Sequence, residues 1–212
     1  MLKLNNKNLL ILILISLIFT YFMKNICCDL YHNIVFNKKS TISQIENILK
    51  TFNFSNKLNI LDFGSGKDLL FNNLNKKHNI TSLDVKKYSN KTIIYNGHNI
   101  PYSDKYFDIG VAMYTLHHIP HQVEMLKELK RTCKYIILIE DSPDKYPIKF
   151  LSYLVEKKHF HSFNQESDMI KYVHTDNEWR NIFNQLHLNC LHQNYFQASK
   201  YYPVINNIYL LH

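Results

Sequence analysis

A doubly wound α/β domain, with a mostly parallel seven-stranded sheet and helices on both faces, is the fold that this 212-residue chain predicts. Three observations predict it. Short runs rich in Ile, Leu and Val recur at 58–63, 80–85, 91–95, 108–113 and 134–140, the continuous apolar type of a strand buried on both faces. Helical stretches at 67–77 and 120–131 lie between several of them, and strand, helix, strand in repetition builds a parallel sheet under helices. Of only four glycines, two, Gly64 and Gly66, stand in the single turn that follows the first run. There an apolar strand must turn sharply beneath a ligand.

The N-terminus differs from the rest. Leu9 to Met23 is an uncharged, almost wholly apolar run, preceded by Lys3 and Lys7 and followed by Lys24. At 1.5 Å per residue it covers about 22 Å, short of a hydrocarbon core of roughly 30 Å. It reads as a short membrane anchor or the h-region of a signal peptide, and the absence of a small-x-small site in Lys24 to Asp29 favours a retained N-terminal apolar helix. Cys27 and Cys28 beside it are either acylation sites or inert. The expected organisation is therefore an anchor or signal-like helix at 1–24, a linker at 25–40 and one domain at 41–212.

Within that domain, Ser43-Gln44-Ile45-Glu46 has the spacing of a capping box, which predicts a helix opening there and running to about Phe52. Pro120 suits the start of the helix at 120–131, where a missing N–H costs nothing. The alternation breaks at Asp141. Pro143 and Pro147 punctuate, and Ile148 to Phe163 is amphipathic and aromatic-rich, suited to a lid over the carboxyl edge of the sheet. A capped helix at Asp176 to Leu186 and strand-like runs at Leu188 to Phe196 and Ile205 to Leu211 complete the chain.

Composition excludes some functions. Lys and Arg number 25 against 17 Asp and Glu, a formal +8, yet no run of five basic residues occurs, and Asn, Lys, Ile and Tyr are over-used together. That pattern spreads lysine everywhere without building a patch, so no nucleic-acid partner is expected. Cys27, Cys28, Cys133 and Cys190 have no metal-site or disulfide-framework spacing and are expected to stay reduced.

The chemistry points to the turn after the first strand. In an open α/β sheet, ligands bind beyond the carboxyl ends of the strands, where Asp62-Phe63-Gly64-Ser65-Gly66 stands. Twenty residues on from Gly64, Asp84 ends the second strand, where a carboxylate can accept from a ribose diol. A Walker phosphate loop is excluded, because Leu61 and Asp68 occupy positions that need Gly and Ser or Thr. A dinucleotide fingerprint would need glycine at Leu69, which also disfavours a nicotinamide oxidoreductase, and Asp68 would repel a pyrophosphate. A nucleoside cofactor without phosphate fits better.

Four ordered segments sharpen this: Ile60 to Asp68; Asp84; Asn96-Gly97-His98-Asn99-Ile100-Pro101-Tyr102 followed by Tyr106-Phe107-Asp108; and Met113-Tyr114-Thr115-Leu116-His117-His118-Ile119. On these residues the chain resembles the class I S-adenosylmethionine-dependent methyltransferases, in particular the type 11 methyltransferase domain. The resemblance implies a Rossmann-like sheet, S-adenosylmethionine as cofactor and methyl transfer. It places Asp62, Gly64 and Gly66 about the methionine part, Asp84 at the ribose, and Asn96, Gly97 and His98 at the adenine, with Ser65 and Val85 also among the cofactor-binding residues. Two residues depart from the family pattern. Asp68 replaces its third glycine, and Asn96 stands where an acid usually accepts from the adenine amino group, a bond that an amide oxygen can also accept. A catalytically inactive, methyltransferase-like binding or scaffold protein is thus the alternative.

His118 and His117 are the candidate catalytic residues, one of them accepting a proton from an acceptor hydroxyl; the other reading is that both shape the loop. His117 and His121 are spaced i, i+4, but Pro120 interrupts the helix that a metal pair would need, and no metal is expected. Trp179, Tyr153, Phe150 and Phe160 either line an acceptor pocket or pack the core. With residues 9–23 in a membrane, the expected acceptor is a small molecule or lipid near the bilayer. The domain is expected to face the cytosol, where the cofactor is made.

Overall fold

The computed structural model of the protein describes residues 38–54, 56–143, 172–198 and 205–212. The apolar run at 9–23, the aromatic stretch at 148–163 and Phe150, Tyr153 and Phe160 within it lie outside the described residues. No helix among the described residues is long and apolar enough to cross a membrane.

The strands are β1 (Asn59–Phe63), β2 (Asn79–Asp84), β3 (Ile93–Ile94), β4 (Phe107–Met113), β5 (Cys133–Asp141), β6 (Cys190–Gln197) and β7 (Ile205–Leu211). They form one seven-stranded sheet in the order β3-β2-β1-β4-β5-β7-β6. The sheet is mixed: β7 runs antiparallel to both β5 and β6, and the other pairs are parallel. β3 is shorter than its apolar run at 91–95. It pairs only Leu83 with Ile93 and Asp84 with Ile94, and both isoleucines stay exposed at the sheet edge.

Helices α1 (Lys38–Thr51) and α2 (Leu69–Leu74) cover one face; α3 (Gln122–Thr132) and α4 (Asp176–Gln185) cover the other. Successive strand residues point to opposite faces, so each central strand feeds two cores. In β5, Ile136 and Leu138 pack with Met125, Leu129, Trp179 and Phe183. Ile137 and Ile139 pack with Ile42, Ile45 and Leu70. Trp179 is thereby a core residue, stacked on Phe183 with 5.9 Å between ring centroids.

Two helix starts differ from expectation. α1 begins at Lys38, inside the segment expected as linker, so Ser43 and Glu46 lie within the helix and form no capping box. Burial is the reason: Thr41 and Ile42 are already packed, Thr41 against the Tyr114 hydroxyl at 3.2 Å, while Glu46 reaches Lys77 at 2.6 Å. α3 begins at Gln122 after His121, leaving Pro120 outside it. The capping box falls instead on α4, where Thr175 Oγ1 accepts from the Glu178 N–H and Glu178 Oε2 accepts from the Thr175 N–H.

The close seat of α3 depends on Gly110 in β4, where an added Cβ would stand 2.6 Å from Cys133 Sγ and 3.3 Å from Leu129 Cδ2. Urea unfolding should therefore place Gly110→Ala about 1–3 kcal/mol below the wild type. Adding Cys133→Ala should recover part of that loss; strict additivity of the two substitutions would refute the contact.

Candidate active site

The turn after β1 is built by backbone that side chains rarely adopt. Gly64 (φ 69), Gly66 (φ 50) and Asp68 (φ 58) all take the left-handed region, at every second position. The N–H groups of Gly64 and Ser65 both donate to Leu83 O, at 2.9 and 3.2 Å, and Asp68 N–H closes the turn on Ser65 O at 2.9 Å. At Gly64 there is no room for anything larger, because a Cβ would stand 2.2 Å from Thr115 Cγ2. At Gly66 nothing lies within 4 Å of that position, so the turn presents open space there. The expected third glycine is an aspartate with a glycine's backbone.

Asp84 ends β2 as expected and binds this turn directly. Its Oδ2 accepts from Gly66 N–H at 3.0 Å and its Oδ1 from Lys86 N–H at 3.1 Å. Asp62 is more unusual. It is 1% exposed, and neither of its oxygens has a hydrogen-bond partner among the described residues. Desolvation first, then the charges of Asp68 and Asp84, push its carboxyl up from 3.8 to about 8. Ser65 Oγ and Asp68 Oδ1 are also buried and without partners among the described residues.

On the adenine side of the expected site, Val85 stands 59% exposed, with its Cγ1 3.4 Å from where a Gly97 Cβ would lie. His98 stacks on His121 with 4.8 Å between ring centroids, and His121 Nε2 lies 2.8 Å from Gly97 O, so it donates to that carbonyl. Asn96 precedes Gly97 and His98 and closes their turn. Its Oδ1 accepts from the N–H groups of both His98 and Asn99, at 2.9 and 3.0 Å. Both lone pairs are committed to its own turn, and the oxygen expected to meet an adenine amino group is used to fix Gly97 and His98.

The loop after β4 runs beside the glycine turn. Thr115 Oγ1 donates to Met113 O at 2.9 Å, and a short 3₁₀ helix follows at Leu116–His118. The residue that holds this loop was not among the expected site residues. Glu140, 2% exposed near the end of β5, accepts from Thr115 N–H at 3.1 Å and Leu116 N–H at 2.8 Å through Oε1. Its Oε2 lies 2.5 Å from His117 Nδ1. The expected histidine pair is thus divided: His117 is buried against Glu140, while His118 stays accessible to solvent with its ring centroid 4.1 Å from that of His117. Partial desolvation of the ring, with a smaller contribution from His117, lowers the His118 pKa. Glu140 could have been suspected from the sequence as the third acid, after Asp62 and Asp84, near the carboxyl end of an apolar run.

No group of three or more metal-ligating side chains occurs among the described residues. Asp62 carries a pH signature. A carboxyl whose pKa is raised in the folded state favours folding below its unfolded value, and that advantage is lost as pH rises through the folded value. Thermal unfolding should therefore show the wild type losing stability relative to Asp62→Asn as pH climbs from 3.8 to about 8. Asp68 and Asp84 face the same carboxyl, so the comparison with Asp62→Asn isolates its share; parallel profiles would show that Asp62 does not titrate in this range.

Residues 19–194 match the family described as Methyltransferase domain. No curated protein matches the chain. Among solved structures, magnesium protoporphyrin IX methyltransferase from Synechocystis PCC 6803, determined with bound S-adenosylhomocysteine, superposes with a TM-score of 0.61 at 14% identity, over 84% of this chain and 84% of that one. A S-adenosylmethionine-dependent methyltransferase from Leishmania major gives 0.60 at 14% identity, over 82% and 72%. One from Aquifex aeolicus gives 0.56 at 15% identity, over 85% and 92%. At these identities the structures establish a shared fold, and the family match spans most of the chain. This protein belongs to the methyltransferase domain family, and it shares the fold of S-adenosylmethionine-dependent methyltransferases.

Proposed function

We infer that the turn from Asp62 to Asp68 receives the methionine end of S-adenosylmethionine, that the nucleoside end lies along Asp84, Val85, Gly97 and His98, and that a small-molecule acceptor approaches past the β4 loop. The observation that carries this reading is Asp62, a buried carboxyl with both oxygens unpartnered among the described residues, in the same turn as Gly66, whose Cβ position opens on space. A buried polar group without a partner costs free energy. An α-ammonium would supply the missing donors, so the residues present fit this cofactor.

Bound there, the cofactor supplies a sulfonium methyl already activated for displacement. What the chain must add is alignment and exclusion of water. Asp84 uses one lone pair of each oxygen on the loop backbone, and the remaining lone pairs suit a ribose diol. Val85 offers an apolar surface to the base. Asn96 acts through the turn that presents Gly97 and His98. At the β4 loop His118, exposed beside the buried His117, is the group placed to accept a proton from an acceptor hydroxyl. His117 serves as a positioning residue, oriented by Glu140.

The segment at 9–23 supports a further part of the reading: a tether that holds the domain at a membrane, facing the cytosol, with a lipid-soluble or membrane-proximal acceptor. The full chain should then sediment with membranes after expression, and a chain lacking residues 1–24 should remain in the supernatant. Equal partition of the two would sink the tether. For the cofactor site, calorimetry with S-adenosylhomocysteine should show Asp84→Ala binding roughly tenfold to a hundredfold more weakly than the wild type. Equal affinity would remove Asp84 from the ribose, and no binding by the folded wild type would end the assignment as a whole.

A further inference from the structure

Asp68 stands where the family pattern has a third glycine, and its backbone keeps glycine's left-handed conformation at φ 58 and ψ 39. Backbone alone does not call for an acid here. Asparagine tolerates that region as well as aspartate does, and the chain uses asparagine freely. Nor does the acid serve the helix, since Asp68 makes no side-chain cap to α2.

The side chain is turned inward. Asp68 is 3% exposed, and its Oδ1 has no hydrogen-bond partner among the described residues. Its charge is the largest electrostatic influence on Asp62. Ser65 Oγ, in the same turn, is also buried and unpartnered. Asp62, Ser65 and Asp68 therefore bring unpartnered oxygens to one turn, and no ion pair among the described residues reaches either acid. An ammonium has three N–H donors and no acceptor. A turn with acceptors on three side chains, whose acids no cation among the described residues pairs, matches that inventory.

Resting on the assignment of this turn to the methionine end, we propose that Asp68 supplies a second carboxylate to the α-ammonium of the cofactor, making the site selective for ligands that carry the amino-acid end. The substitution of the third glycine then adds a binding group while preserving the shape of the turn. S-adenosylhomocysteine carries the amino-acid end and methylthioadenosine lacks it, so the pair separates a contact with the ammonium from a general effect on the loop.

Calorimetric titration of the wild type, Asp68→Asn and Asp68→Gly with each ligand tests the proposal. Asparagine keeps the size and the left-handed backbone, and glycine restores the family's residue, so both variants are compatible with the turn. Each should bind S-adenosylhomocysteine about tenfold or more weakly, with methylthioadenosine changed by less than about twofold. Wild-type affinity for S-adenosylhomocysteine in both variants overturns the proposal and leaves the cofactor assignment intact. Equal loss for both ligands also overturns it, because Asp68 would then only shape the turn. A folded wild type that binds neither ligand ends the cofactor assignment, and the proposal with it.

Discussion

A carboxylate near the end of one parallel strand holds the backbone of the loop that leaves its neighbour. Asp84 of β2 accepts from Gly66 in the loop after β1, and Glu140 of β5 accepts from Thr115 and Leu116 in the loop after β4. Strand order makes these two bonds complementary. In the sequence β2-β1-β4-β5, the inner strands β1 and β4 are neighbours at the point where the chain order reverses, and each of their loops is held from its outer side. The two loops are consequently pressed together, closely enough that Thr115 occupies the space a Gly64 side chain would need. The site is where these two fixed loops meet.

Holding a loop in one conformation costs roughly 1–2 kcal/mol of backbone entropy per residue. A buried carboxylate that takes backbone N–H donors offsets part of this, at about 1.5–3 kcal/mol for each bond to a charged group. Satisfying the loop donors uses only some of the acceptor capacity, since a carboxylate has about four lone-pair positions. The same acids can thus fix the loop and still present acceptors to a ligand. The arrangement has an electrostatic cost, visible at Asp62, whose carboxyl is pushed up to about 8 by desolvation and by its acidic neighbours. A cationic ligand would relieve that strain, so the features that destabilise the free site favour its occupation.

What the sequence disclosed follows the same physics. β1, β4, β5 and β7 are buried from both sides, and their continuous apolar runs mark them. β3 is a two-residue edge strand with exposed isoleucines, so its run overstates its length. Ser43 and Glu46 mimic a helix start because a capping box is a local pattern of letters. Tertiary packing of Thr41 and Ile42 begins the helix earlier, and Glu46 bonds to Lys77. Gly64, Gly66, Asp62 and Asp84 were legible as one motif because the turn and its acids are fixed within a single βαβ unit. Glu140 was not, since its partners lie more than twenty residues away on another strand's loop. The local bonds of Asn96 were not legible either: its Oδ1 closes its own turn on the His98 and Asn99 N–H groups.

Asp68 shows what a glycine motif actually constrains. The alternating glycines of this family specify a backbone with positive φ at every second residue, together with space for a ligand at some of those positions. At Gly64 the backbone condition holds and a side chain would collide with Thr115, while at Gly66 it holds with open space over the position. At Asp68 only the backbone condition applies, and aspartate can meet it. The substitution therefore need not signal decay of the site, because the turn it would have broken is intact: Asp68 N–H still bonds to Ser65 O and Asp68 O still receives the Asn72 N–H. In a chain with so few glycines, the residue that replaces one keeps the conformation and contributes a buried charge that glycine could not. Where such a charge lies within reach of Asp62 and no cation pairs with it among the described residues, its natural complement is a positively charged ligand.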